Sequence, residues 1–532
     1  MNVVVVGSGL AAVGAVKALI SRGHRPTLLD VGDRLPSHLA EVQLTMARRE
    51  PSEWSDHEWN QLAADESQPN RSVPRKLVLG SDYFYSTEQA ALSEWDRFDR
   101  GSPPWSPARG GFSVGWGAAV LPPAPSDVEE WPVTHADLLR NMQEVLDGIP
   151  LSEPTDDLGT YFGRLRPSGT NALALSPGQT SLHERLARSR TPRDTVADKT
   201  VLVGQSRLLT ESSPSAPSRC RFCGHCSSGC VYGSIYTAEH DLDRWIRDGA
   251  IEYRGATTVF ALREHAGSVR ISFVSNQRVE TLETERVFLA AGAVNSARIL
   301  LNSSSDHPET TTIRRTGYCV QMFASLRPIS LEWPEVNTQT SHFVTFRDAE
   351  LSPFWAHAQV GLPNEAILRR LGLRHSNLSG ARASAAKVAA RRMVSVALNL
   401  HSSLGPTYEL RINRTNAGLP SVETSQTWGT HSRRSTSAYS RRLGRILRPA
   451  GFFSIPLAKQ TSGAALTYHF GASFPMRDTP RAPSDTDVLG RPFGWSRVHV
   501  VDSSVLPAIP ATTVGLLTMA NAHRIAKLAT AR

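Results

Sequence analysis

The sequence predicts an α/β protein, and three stretches carry that prediction. The N-terminal VVVVGSGLAAVGAVKALISRGHRPTLLD reads as strand, tight turn, helix and strand. ERVFLAAGAVNSARILLNSS (residues 285–304) again gives an apolar strand, a small-residue turn and a helix. Residues 487–529 close with a turn, a strand, a loop and a long helix.

In the first stretch, Val3 to Val6 are apolar on both faces, as a central parallel strand requires. GSGLAA then supplies Gly7, Gly9 and Ala12 in the pattern G-x-G-x-x-A. Gly7 permits the sharp turn, Gly9 lets the backbone approach a pyrophosphate, and Ala12 lets the helix lie close to the strand. The helix start offers free N–H groups and a positive dipole end to phosphates. Asp30 follows Gly9 by 21 residues, where a carboxylate accepts from ribose hydroxyls. This points to a Rossmann-like dinucleotide site, with FAD or NAD favoured over NADP.

The composition is that of an ordinary globular chain: 532 residues, 40% hydrophobic, 20% charged. That excludes disordered and fibrous classes and allows two or three domains or sub-domains. Net charge is +9, concentrated in residues 369–392 and 433–448. Read as a solvated face, these segments call for no nucleic acid. No apolar run reaches the ~18 residues of a membrane span. The opening MNVVVV leaves no room for a secretory leader, so the expected location is cytoplasmic.

ARGGFSVGWGA (residues 108–118) is a second glycine-rich loop, and ALTYHFGASFPM (residues 465–476) sets a histidine among small residues. MVSVALNLHSS and TYELRINRT read as strands, and residues 152–219, rich in Pro, Ser and Arg, as a long connection. With the N-terminal fingerprint and the last helix, these landmarks resemble, in order, the glucose–methanol–choline oxidoreductase family of FAD enzymes. Residues 310–460 match only loosely.

The resemblance implies an FAD domain assembled from discontinuous segments, with an α+β substrate domain containing an antiparallel sheet. The implied division is 1–150, FAD domain; 151–219, connection; 220–310, cysteine loop and middle FAD part; 311–460, substrate domain; 461–532, C-terminal FAD part. It also implies roles. Gly7, Gly9, Ala12 and Asp30 would hold the ADP half of FAD. Gly110, Gly111 and Ser113 would line the flavin and pyrophosphate, and Thr258 and Val259 would pass near the adenine. Asp502 would sit at the pyrophosphate–ribityl junction. Thr513 and Val514 would start the last helix beside the isoalloxazine. Gly115 stands where some relatives carry a flavin-linked histidine, so FAD should be non-covalent.

Alcohol oxidation by a flavin needs a base at the hydroxyl, and histidine suits that task. His469 matches the family's catalytic histidine. The family's second His or Asn is replaced by Thr513, whose hydroxyl can orient a substrate but cannot share a proton as an imidazole can.

Four of the five cysteines fall in CRFCGHCSSGC, as Cys220, Cys223, Cys226 and Cys230. The C-x2-C-x2-C-x3-C spacing suits an iron–sulfur cluster; zinc and disulfides are alternatives. Cys220, Cys226 and Cys230 are similar in spacing to the three ligands of bacterial FAD-dependent sugar dehydrogenases, whose three-iron cluster drains the flavin. Cys223 is extra and would make a 4Fe–4S site in place of a 3Fe–4S one; Cys319 is more simply a buried hydrophobe.

The expected function is therefore an FAD-dependent dehydrogenase oxidising a small-molecule alcohol or sugar, with electrons leaving to a protein acceptor. The alternatives are an oxygen-using alcohol oxidase with a structural metal in the cysteine loop, and an inactive flavin-binding interaction subunit.

Overall fold

The computed structural model describes residues 1–63, 77–85, 103–166, 171–189, 200–303, 309–329, 337–363, 388–413, 421–461 and 467–531. The basic positions between 369 and 387 lie outside this set.

Three distant parts of the chain build one parallel sheet. Its strands run in the order Val498–Val500, Arg286–Leu289, Val3–Val6, Thr27–Leu29 and Glu252–Arg254, all parallel. Val3–Val6, in the middle, is buried on both faces, as its unbroken valine run demands. Three helices follow strands of this sheet: Leu10–Ser21, Ala293–Ser303 and Gly515–Ala529. The first and last pack backbone to backbone, since a Cβ on Gly14 would lie 1.9 Å from the Met519 carbonyl oxygen.

A second layer is a six-stranded antiparallel sheet. Its order is Phe452–Thr461, Gly317–Ser325, Met393–Leu400, Ala356–Gly361, His342–Phe346 and Val201–Gln205. One face carries Val344, Phe346, Ala358, Val360, Leu398 and Leu400, packed with Tyr439, Leu443 and Leu447 of helix Thr430–Leu447. A four-stranded sheet joins Ser421–Thr427, Thr407–Asn413, Thr310–Arg315 and Phe470–Gly471, and a three-stranded meander spans Thr257–His265, Ser268–Ser275 and Arg278–Thr284.

This is the α/β architecture with discontinuous assembly that the sequence predicts. The two later strand readings go to different sheets: Met393–Leu400 to the six-stranded one, Thr407–Asn413 to the four-stranded one. The stretch 152–219 is more ordered than its composition suggests. It holds helices Asp157–Phe162 and Pro177–Ala187, the latter with a Ser176–Gln179 capping box. Its VLVGQ run adds the edge strand Val201–Gln205 to the six-stranded sheet. Among the described residues no helix is long and apolar enough to cross a membrane.

Candidate active site

Two adjoining cavities form one elongated cleft. The larger has a volume of about 170 Å3 and is bounded by Gly7 to Ala11, Gly111 to Ser113, Ala290 to Val294, Tyr468, Phe470, Asp502 and Gly515. The smaller, about 70 Å3, is bounded by Thr257 to Val259, Asn295, Arg298 and Ile299. Gly7, Asp30, Trp105, Ser106 and Ala291 border both. The starts of helices Leu10–Ser21, Ala293–Ser303 and Gly515–Ala529 all meet the larger cavity. Three positive dipole ends and their free N–H groups thus face one space, which suits a diphosphate and a ring that gains negative charge.

The glycines divide the labour. Gly7 has φ +97°, and a Cβ there would meet the Ala290 carbonyl oxygen at 2.6 Å, so the fold itself requires it. A Cβ on Gly9 would come no closer than 3.9 Å to the protein, so its missing side chain serves the cleft. Ala12 is fully buried behind the loop. Gly110 and Gly111 have φ of +89° and +57°, and Gly111 would place a Cβ 3.4 Å from the Gly9 Cα. The two glycine loops therefore face each other.

Ser8, which sequence reasoning passed over, ties them together. Its hydroxyl donates to Asp30 at 2.5 Å and accepts from Gly110 N at 2.9 Å. Tyr253 also donates to Asp30, at 2.9 Å. Burial pushes the Asp30 pKa up to about 6, against these two hydrogen bonds. Ser113 donates to Gly110 O at 2.6 Å and accepts from Ala238 N at 2.9 Å, so it fixes the second loop. Asp502 borders the cleft and joins two segments, accepting from Gly292 N and Ser504 N at 2.9 Å each and from the Ser296 hydroxyl. At the far end Arg298 lies over Trp105, 5.5 Å from the ring centre. Val514 caps the last helix, and neither it nor Thr513 borders the cleft. Gly115 packs on Val78 and Phe84.

Tyr468 and Phe470 border the cleft, whereas His469 between them does not. His469 is held by its backbone: Thr316 N donates to its carbonyl at 3.1 Å, and its own N–H donates to the Thr467 hydroxyl at 3.2 Å. Its Nδ1 is buried without a protein hydrogen-bond partner. Burial lowers its pKa to about 4. His357 in strand Ala356–Gly361, a residue the sequence did not single out, is lowered to about 3, by burial first and by His469 second. One histidine in an alternating strand is a weak signal. The Thr513 hydroxyl accepts from Leu121 N at 2.8 Å and donates to Leu121 O at 3.4 Å, so it latches the loop before the last helix to the chain after the second glycine loop.

In the cysteine loop, every sulfur has a donor. Asn337 Nδ2 and the Phe222 backbone serve Cys220, the His225 backbone serves Cys223, Thr338 serves Cys226, and Ser234 N reaches Cys230 at 3.1 Å. Positive-φ residues Phe222, Gly224 and Gly229 curl the backbone around them. Burial raises the Cys220 and Cys223 pKa values and takes Cys226 to about 12, and neighbouring thiols add to this. The thiols therefore sense one another. Yet among the described residues no three His, Cys, Asp or Glu side chains are gathered closely enough to hold a metal ion. The donor chemistry fits a thiolate-bound cluster; the arrangement is that of four thiols in one loop. Cys319 is buried elsewhere, beside Ser440.

No family model matches the chain, and no curated protein does. Among solved structures, the crystal structure of pyridoxine 4-oxidase from Mesorbium loti aligns with a TM-score of 0.60 at 15% identity, over 99% of this chain and 98% of that one. The chain has the mixed α/β fold of that protein from end to end.

Proposed function

We propose that this protein is an FAD-dependent oxidoreductase that oxidises a hydroxyl of an alcohol or sugar. The observation that carries the reading is the continuous cleft onto which two glycine loops and three helix starts converge, with His469 flanked by two of its bordering residues. The resemblance to the glucose–methanol–choline family and the end-to-end likeness to an oxidase support it.

FAD supplies hydride acceptance when bound. The protein's part is to hold and to deprotonate. Gly9, Gly110 and Gly111 would admit the diphosphate, Asp30 would take the ribose hydroxyls, and Thr258 and Val259 would flank the adenine. Asp502 and the last helix start, near Val514, would lie towards the flavin end. His469, kept neutral by burial, receives the hydroxyl proton on a ring nitrogen. Thr513 positions this loop through Leu121. Cys220, Cys223, Cys226 and Cys230 would hold an iron–sulfur cluster, 3Fe–4S or 4Fe–4S, whose chemistry is one-electron transfer towards a protein acceptor. With that cluster bound the enzyme would act as a dehydrogenase.

Anaerobic purification tests this. The expected preparation is brown, with one FAD, non-haem iron and sulfide per chain, and its flavin bleaches with a member of an alcohol and sugar panel. Protein without flavin would refute the whole reading. Flavin without iron would remove the cluster and leave the second reading, an oxygen-using oxidase, which the likeness to pyridoxine 4-oxidase favours; peroxide release identifies it.

A further inference from the structure

Arg109, just before Gly110 in the second glycine loop, is only 2% exposed. A buried cation is costly unless it is paired. Its Nη2 meets Asp243 Oδ1 at 2.6 Å, and its Nη1 lies 3.7 Å from Glu239 Oε1. Both carboxylates stand on helix Ala238–Arg247. The guanidinium also lies over the Tyr253 ring, 5.4 Å from its centre. The Arg109 backbone N–H donates to Asp33 O at 2.9 Å. This side chain is thus fixed by a helix, a strand and its own loop, yet it borders neither cavity of the cleft.

Tyr253 carries the contact on to the cleft. Its hydroxyl donates to Asp30 Oδ2 at 2.9 Å, and the Ser8 hydroxyl donates to the same oxygen at 2.5 Å. Among the described residues no side chain donates to Asp30 Oδ1. Gly32 makes room for the tyrosine, because a Cβ there would stand 2.4 Å from its hydroxyl oxygen. Asp30 borders both cavities. The ionisable groups around Asp30 and Tyr253 are Arg109, Arg34 on the chain beyond Asp30, and Glu239 on the helix. Burial opposes the charged carboxylate; the Ser8 and Tyr253 hydrogen bonds, and then Arg109, favour it.

We propose that Arg109 is a positioning residue for FAD: through Tyr253 and its own charge it holds Asp30 as an aimed carboxylate, with Oδ1 turned to the adenosine ribose hydroxyls. The inference rests on the FAD reading and adds to it a residue behind the wall of the cleft. A carboxylate only accepts hydrogen bonds, and a charge-assisted bond is roughly twice as strong as a neutral one. A protonated Asp30 loses that strength. Without the guanidinium, hydrogen bonds alone oppose the effect of burial, so Asp30 takes up its proton at a higher pH.

The test equilibrates the flavin-loaded full chain between about pH 5 and about pH 9 and measures FAD released on ultrafiltration. Wild type should hold FAD evenly above about pH 7 and lose it as pH falls through about 6. Arg109→Met should move this midpoint up by about one pH unit, an affinity about fivefold weaker at pH ~6 and less than about twofold weaker at pH ~9. Arg109→Gln gives the same readout should the methionine variant not fold. Tyr253→Phe should shift the midpoint in the same direction, and Arg109→Lys should restore it to within about half a unit. A neutral variant that weakens FAD by one factor at every pH has lost packing alone and overturns the proposal, as does one with the wild-type profile. A lysine variant that behaves like the neutral ones also overturns it. Wild type that holds no FAD at any pH would refute the oxidoreductase reading itself, and this inference with it.

Discussion

The cleft and the polar face of the six-stranded sheet are both buried, yet they are built in opposite ways. In the cleft, the polar side chains are already paired: Asp30 with Ser8 and Tyr253, Asp502 with Gly292, Ser296 and Ser504. What it offers a ligand is backbone, exposed by glycine and helix starts. On the sheet, strand register brings Thr345, His357 and Asn399 into one row, and their side chains carry buried polar atoms without protein partners. Backbone geometry needs only small residues at fixed spacing, whereas a row of side chains is assembled from separate strands.

The largest effect should separate the two uses of glycine on the cleft side. Gly14→Ala forces a Cβ into the Met519 carbonyl. It should cost about 3 kcal/mol or abolish folding, as chemical denaturation will show. In Gly9→Val the Cβ comes no closer than 3.9 Å to a neighbouring protein atom. It should therefore fold normally and bind FAD at least tenfold more weakly. If Gly9→Val unfolds the protein while Gly14→Ala does not, the assignment of the two glycines is reversed.

A smaller effect concerns the joint between the regions. Thr513→Val leaves Leu121 N buried without its acceptor. The expected loss is about 1–3 kcal/mol of stability, with the flavin-reduction rate changed less than threefold. A large rate loss at unchanged stability would move Thr513 from latch to substrate contact.

The smallest effect is on pH dependence, and it differs in sign between buried histidines and buried carboxylates. On the sheet side, burial lowers His342 and His357 to about 3 and His401 and His469 to about 4. Their contribution is present above the unfolded value near 6.5 and is lost as pH falls from there towards 4. Asp30 in the cleft, raised to about 6, does the opposite: its contribution is present below about 4 and lost as pH rises through 6. Asp127, raised to about 7 beside Trp355, also opposes the histidines. His499 in the parallel sheet and His523 in the last helix are lowered to about 4 as well, so lowered histidines outnumber these raised carboxylates on both sides together. Chemical denaturation of the FAD-free protein should show stability falling between about pH 6.5 and 4; stability that rises over that range would contradict this.

The same contrast decides what could be read from the chain. The strand–glycine–helix unit around Gly7, Gly9 and Asp30 is contiguous, so its spacing exposes it, and Asp502 follows from the ordered landmarks at the other end. Ser8 and Tyr253 were not legible: their importance comes from a meeting at Asp30 that no spacing encodes. His357 was hidden for the same reason. Its neighbours in the row, Thr345, Asn399 and Tyr318, are joined to it only by strand register. The strand Val201–Gln205 was masked by the Pro- and Ser-rich sequence around it. The cysteine loop is conspicuous in sequence, but close spacing along a loop does not by itself draw four sulfurs onto one point.

The account turns on His469 as the base serving a flavin in the cleft. The most direct measurement is anaerobic stopped-flow reduction of the bound flavin by a bleaching alcohol or sugar, in wild type and His469→Ala. The variant should retain its FAD and its fold, and its reduction rate should fall by roughly 10²–10⁴. A variant that reduces its flavin at the wild-type rate would contradict the account.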